Sequence, residues 1–285
     1  MNVDLFFLVL VFWWGACIGS FLNVCIYRIP LELSVVRPRS HCPHCNHLIA
    51  WYDNIPLVSF LALRARCRHC GGPISPRYAL VELLTAALFV LIWLRYVAST
   101  PIPAPGSVLA AGVGLTFAYW LVASGLILGS FVDFEHMIIP DRVTLGGIVA
   151  GLLLSAVLPV LHGVSSAWES IMASAIGAAV GFGLLWTVAG IGKLAFKKDA
   201  MGFGDVKLMG AVGAFLGWQA VLFTIMLSSL AGSLVGVALV LAGQKKMQSR
   251  IPYGPYLSLA ALIWILWGAG WWDAYTAWLA GSVGR

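Results

Sequence analysis

Between Leu5 and Leu279 the chain returns repeatedly to apolar runs with almost no charge, about as long as a bilayer is thick. A helix rises about 1.5 Å per residue, so roughly 20 apolar residues cross the hydrocarbon layer. Such runs cover 5–27, 79–97, 107–131, 143–161, 169–191 and 256–279, and a longer block fills 206–243. A soluble domain has about a quarter of its residues charged. Here only 10% are charged and 61% are apolar, so most of the surface must face lipid. Open sheet edges cannot face lipid, and no alternating segments of barrel type occur, so strands are not expected. The expected fold is an all-α polytopic membrane protein.

Charge placement supplies a topology. Arg28, Arg37, Arg39, Arg64, Arg66, Arg68 and Arg77 all fall between the first two runs, which places that loop in the cytoplasm. Lys193, Lys197 and Lys198, with Lys207 at its end, mark a second inside loop, and Lys245, Lys246 and Arg250 a third. The connections near 100–106 and 162–167 carry no Lys or Arg, as outside loops should. The block 206–243 has basic loops on both flanks and must cross an even number of times, with a turn near Gly217-Trp218-Gln219. Eight spans with both termini outside result. The start, Met1 to Asp4, lacks a positive n-region, so the first run reads as an uncleaved anchor and 101–106 as a short stiff linker. The net charge of +6 is accordingly a topology signal and no argument for a nucleic-acid partner. Basic loops beside spans also suit contact with anionic headgroups of the lipid bilayer.

The one polar stretch long enough to fold separately is 28–78. It carries Cys42-Pro43-His44-Cys45 and Cys67-Arg68-His69-Cys70, two C-x2-C pairs with 21 residues between them. Two such knuckles converge four thiolates on one tetrahedral Zn²⁺, and a reducing cytoplasm disfavours disulfides. Gly71-Gly72 suits the turn after the second pair. His41, His44, His47 and His69 are spare candidates expected on the surface or beside the ligands, since four thiolates close the site. Iron or redox chemistry is the alternative for this loop. A segment too small for a core, stapled by metal, is scaffolding in the plainest reading, and a rigid loop could also position a substrate. Cys17 and Cys25, inside the first run, read as packing residues.

Charges at membrane depth cost roughly 2.5–3.5 kcal/mol on insertion scales, so each needs a reason. Asp133 lies where the third span reaches the cytoplasmic side, and Asp205 lies in Gly202-Phe203-Gly204-Asp205 where the sixth begins. Two carboxylates from different helices at one depth are what a water-activating pair requires. Two glycines around Phe203 would let an extended substrate backbone approach. Blander readings stand beside these: Asp141 as the N-cap of the fourth span, Asp205 as another N-cap, and Glu135 and His136 as solvated groups at the water boundary. An ion-coupled transporter uses paired membrane carboxylates too, and a zinc-bearing membrane scaffold needs neither activity.

The motifs together resemble one family, the type IV prepilin peptidases, also called leader peptidase/N-methyltransferases. The resemblance runs from Gly19 to about Leu257. It includes 19–30 (GSFLNVCIYRIP), both Cys pairs, Asn54-Ile55-Pro56, 74–78 (ISPRY), Val81-Glu82, Asp133 to Asp141, Gly202 to Lys207, and 251–256 (IPYGPY). It implies an aspartic endopeptidase of the GxGD type in the bacterial inner membrane, with Asp133 and Asp205 catalytic. The substrates implied are prepilins or pseudopilins, cut after a short basic leader at a glycine boundary. It further implies N-methylation of the new N-terminus with S-adenosylmethionine, for which the sequence offers no glycine fingerprint and no nameable site. On this reading 1–27 is the first membrane helix, 28–78 the zinc loop domain and 79–285 the protease core. Ala65, Ala79 and Glu135 depart from residues the family often carries (Gly, Pro and Asp), and none touches the aspartates or the thiolates. Tyr253-Gly254-Pro255 stands at the entry of the last span, either starting that helix or lining the substrate cleft. Glu82, inside the second span, is expected to pair with an arginine such as Arg77 or to meet the basic leader.

Overall fold

The computed structural model describes residues 5–99, 106–197, 201–243 and 252–283. The start at Met1–Asp4, most of the proline linker, Lys198, and the third basic loop with Lys245, Lys246 and Arg250 lie outside the described residues. What is described is helical, with two isolated β-bridges and no strand. The helices are α1 (Leu5–Arg28), α2 (Val58–Ala62), α3 (Pro76–Trp93), α4 (Gly106–His136), α5 (Asp141–Val157), α6 (Ala167–Phe196), α7 (Phe203–Leu241), α8 (Gly254–Ile263) and α9 (Ala269–Val283). Wider π-type turns continue α3 through Ala98 and join α8 to α9. Among the described residues, six helical stretches are long and apolar enough to cross a membrane, with α3 counted through Ala98 and α8 with α9 as one. Large apolar side chains such as Leu5, Leu153, Leu194 and Leu241 stand more than 60% exposed, which only a lipid surround makes inexpensive.

The chain forms two compact units, Met1–Leu128 and Gly129–Arg285. In the first, α1 packs on α3, and Asn23 Nδ2 donates to the Tyr78 carbonyl at 3.0 Å across that seam. Pro76 opens α3, and the Ser75 hydroxyl caps it by accepting the Arg77 N–H at 3.4 Å. Trp120 stacks on Phe89 at 4.7 Å and donates its indole N–H to the Phe89 carbonyl at 3.0 Å, so its one polar atom is satisfied in the core.

In the second unit α6, α7 and α5 pack by small residues. Gly177 of α6 and Gly213 of α7 meet backbone to backbone, and a Cβ on either would collide with the other's carbonyl. Ser174 Oγ donates to the Ala214 carbonyl at 2.7 Å across the same seam. Close approach of this kind substitutes for the hydrophobic drive that lipid removes. The long α7 is broken at Gly217, whose φ of 81° and ψ of 173° lie in a region essentially reserved for glycine. The break falls where the sequence places a turn in the 206–243 block.

Candidate active site

Asp133 sits in the last turn of α4. The helix stops at His136, Met137 turns left-handed (φ 57°), and its N–H closes on the Asp133 carbonyl at 3.0 Å. Asp205 sits in the first turn of α7. Gly202 rather than Asp205 is the N-cap, and the Asp205 N–H donates to the Gly202 carbonyl at 3.2 Å. Its side chain reaches back toward the Gly202 backbone N–H, so it helps to cap α7 while it faces Asp133. The two carboxyls are 6% and 7% exposed, and Asp133 is near enough for its charge to act on Asp205. One end of α4 and the opposite end of α7 therefore deliver two buried carboxyls to one place.

A third backbone segment completes this place. The Gly254 N–H donates to Asp133 Oδ2 at 3.0 Å, fixing one carboxyl oxygen from the start of α8. Tyr253, Gly254 and Pro255 do start that helix, as the plainer reading holds, and the same start supplies the bond. Sequence reasoning missed Ile139, which lies between Gly204 and Gly254: a Cβ on Gly204 would be 3.2 Å from Ile139 Cβ, and one on Gly254 3.0 Å from Ile139 Cδ1. The space at Gly204 is thus taken up within the chain. Phe203 is 54% exposed, edge-on to Phe182 at 5.9 Å, and Lys207 Nζ lies 5.2 Å over its ring. The Tyr253 hydroxyl is bonded to Ser228 at 2.8 Å and Ser229 at 3.1 Å, tying the start of α8 to α7. Those serines were also missed, having no charge or motif to mark them.

Asp141 is corrected. Pro140 holds the N-cap position of α5, and Asp141, in the first turn, accepts from Lys207 Nζ at 2.7 Å, linking α5 to α7. An acid there still favours the helix through its dipole. Glu135 and His136 are exposed, as expected for a water boundary.

The first unit holds the cysteines. Both knuckles fold alike: Cys42 N–H donates to the His47 carbonyl at 2.9 Å and Cys67 N–H to the Gly72 carbonyl at 2.8 Å. The residue after each pair turns left-handed, Asn46 at φ 55° and Gly71 at φ 70°. The four Sγ atoms of Cys42, Cys45, Cys67 and Cys70 all lie within 4.8 Å of one another, with Cys42 and Cys70 at 3.9 Å. Tetrahedral thiolates about 2.3 Å from one ion sit roughly 3.8 Å apart, so the donor set fits a metal ion. Backbone N–H groups of Cys70 and His69 pull the Cys67 thiol down to about 6. The four histidines are exposed, with His47 and His69 stacked at 4.0 Å beside the knuckles. Arg68 grips Asp53 by a forked bond (2.7 and 2.8 Å), holding that carboxyl below its usual range.

Glu82 belongs to this first unit. Its Oε2 accepts the Leu57 N–H at 2.8 Å, and Leu57 has a positive φ of 61°. The carboxylate therefore holds a strained turn of the loop. Cys25 packs in the core as expected, but Cys17 is exposed and lines a cavity of about 480 Å³ beside α1.

Two family models cover most of the chain: the Bacterial Peptidase A24 N-terminal domain matches residues 13–96 and the Type IV leader peptidase family matches 120–237. A prepilin leader peptidase/N-methyltransferase of Aeromonas hydrophila is 40% identical over 94% of this chain and 92% of its own length. The protein of that name from Myxococcus xanthus is 44% identical over 83% of this chain and 64% of its own, and that from Pseudomonas putida 36% identical over 89% and 88%. No solved structure gives a significant match. With buried carboxyls at two helix ends, family models over most of the chain and two of these relatives matched over about nine tenths of their own length, the chain belongs to the type IV leader peptidase family.

Proposed function

We propose that this chain is a multi-pass inner-membrane endopeptidase that removes the basic leader from prepilins or pseudopilins, using Asp133 and Asp205 as its catalytic pair. The observation that carries this reading is that two buried carboxyls, delivered by the ends of α4 and α7, lie within electrostatic reach of each other. Two carboxyls so placed cannot both ionise without strong repulsion, so the pair holds one proton. The ionised partner takes a proton from water as the water oxygen bonds to the scissile carbonyl carbon. The protonated partner meanwhile donates to the carbonyl oxygen. Collapse of the tetrahedral adduct breaks the C–N bond, and the proton taken from water passes to the leaving amine. Gly202, Phe203, Gly204, Tyr253, Gly254 and Pro255 border this site and form its substrate cleft. Glu82 acts in the first unit, through the turn it holds.

The four-cysteine site holds a structural Zn²⁺, in keeping with its all-sulfur donor set. Eight crossings with both termini outside follow if α5 spans and α7 makes two crossings around Gly217. The family name extends the activity to N-methylation of the new N-terminus, with S-adenosylmethionine as donor. Arg28 and Arg39, which line the cavity beside α1, complement the carboxylate of that donor but not its sulfonium.

Purified protein incubated with a prepilin and S-adenosylmethionine, with product masses read, tests all of this. Wild type should lose the leader mass and gain one methyl. Asp133→Asn and Asp205→Asn should each leave the precursor intact while keeping wild-type metal content and melting. Full cleavage by Asp205→Asn would end the assignment. An ion-coupled transporter would instead give flux into proteoliposomes and no peptide product.

A further inference from the structure

The cavity beside α1 has a chemistry that peptide hydrolysis does not use. Cys17, Phe21, Val24 and Arg28 line it at spacings of four, three and four, so they form one stripe of the helix. The stripe spans about 16 Å at 1.5 Å per residue. Its Cys17–Val24 part lies within the membrane-length helix and is apolar apart from Ser20, which also lines the cavity, and Phe21 is 50% exposed there. Its far end is cationic: Arg28, and across the cavity Arg39 from the loop.

Arg28 is only 7% exposed. It donates to the Ser34 carbonyl at 2.9 Å and the Pro38 carbonyl at 2.8 Å, two of the five N–H donors a guanidinium carries. Neither Arg28 nor Arg39 has a carboxylate partner among the described residues. A buried cation without a counter-charge is costly, and the cavity wall contains no acidic residue to supply one. A cationic ligand would be repelled. The missing charge must come from an anion, and the apolar stripe below the arginines requires that anion to carry an apolar body.

We infer that this cavity binds the phosphate headgroup of an anionic membrane phospholipid, with the phosphate on Arg28 and Arg39 and the upper acyl chain along Phe21 and Val24. Its volume of about 480 Å³ accommodates a headgroup and glycerol while the chains stay in the bilayer. Basic pockets at the ends of membrane helices take anionic headgroups by this combination of charge and depth. Because Arg28 also grips the carbonyls of Ser34 and Pro38, a bound headgroup would fasten the beginning of the cysteine loop to α1.

Native mass spectrometry of the purified full chain tests this, titrating phosphatidylglycerol against phosphatidylcholine of the same acyl chains. Phosphatidylglycerol should remain bound and raise the melting temperature at concentrations where phosphatidylcholine does neither. Arg39→Gln removes one exposed cation without touching the bonds of Arg28 and should weaken phosphatidylglycerol about fivefold, the share of one arginine at a membrane surface. Arg37→Gln, in the same loop but outside the cavity wall, should change nothing. Equal affinity for the two lipids, or equal loss from both variants, would overturn the site. Stabilisation by inorganic phosphate alone, matching that by the lipid, would show a free-anion site and overturn the lipid assignment.

Discussion

Gly254 presents its N–H to Asp133 at 3.0 Å, and its Cα has room for nothing larger than hydrogen. An added Cβ would lie 2.8 Å from Asp133 Oδ2 and 3.0 Å from Ile139 Cδ1, so either the carboxyl or the start of α8 must shift. Displacing a catalytic group by about 1 Å costs on the order of 10²-fold in rate. Gly254→Ala should therefore lower kcat for leader removal by roughly that factor while the chain still folds. Gly232→Ala, whose Cβ would be 3.7 Å from Tyr253 Cε2, an ordinary contact, should stay near wild type. Steady-state cleavage of a prepilin by both variants checks this, and equal rates would remove Gly254 from the site. Single residues were legible in sequence where their chemistry is costly in lipid, as with Asp133, Asp205 and Glu82. Ile139, Ser228 and Ser229 carry no such cost and become visible only through contact.

At the scale of elements, the ends of helices do most of the placing. Asp133 is in a last turn and Asp205 in a first turn, so the start and stop signals of α4 and α7 aim the pair. Met137 ends α4 with a left-handed residue that is not glycine, a stop no sequence rule marks. Asp141 shows the opposite error: after Pro140 it looks like a cap, yet it lies inside the helix and pairs with Lys207. Gly217 is the clearest element-level device. Its φ of 81° and ψ of 173° would strain any residue with a Cβ by about 1–3 kcal/mol. Gly217→Ala should lower the thermal midpoint of the purified protein by the equivalent amount, and an unchanged midpoint would mean that the break in α7 is dispensable.

For the whole molecule, two chemistries lie in separate compact units, the four clustered thiols in Met1–Leu128 and the carboxyls proposed as catalytic in Gly129–Arg285. Metal loss should therefore act first on the cysteine unit. Cys42→Ser, or acidification that protonates the thiolates, should release about one zinc per chain, measured by elemental analysis, and expose the 28–78 loop to protease. Finding no zinc in wild type would remove the metal from the account. The sequence by itself determined that the chain is helical and lives in lipid, because hydrocarbon tolerates no unpaired backbone and little charge. It also singled out the four cysteines that the structure brings together and the two aspartates that it buries, because thiolate pairs at that spacing and carboxyls at that depth have few other uses. Only the tertiary structure decided the surroundings: the Gly254 N–H on Asp133, Ile139 between two glycines, and Lys207 on Asp141. Those pairings join residues far apart in the chain through shape and packing, and no local spacing rule encodes them.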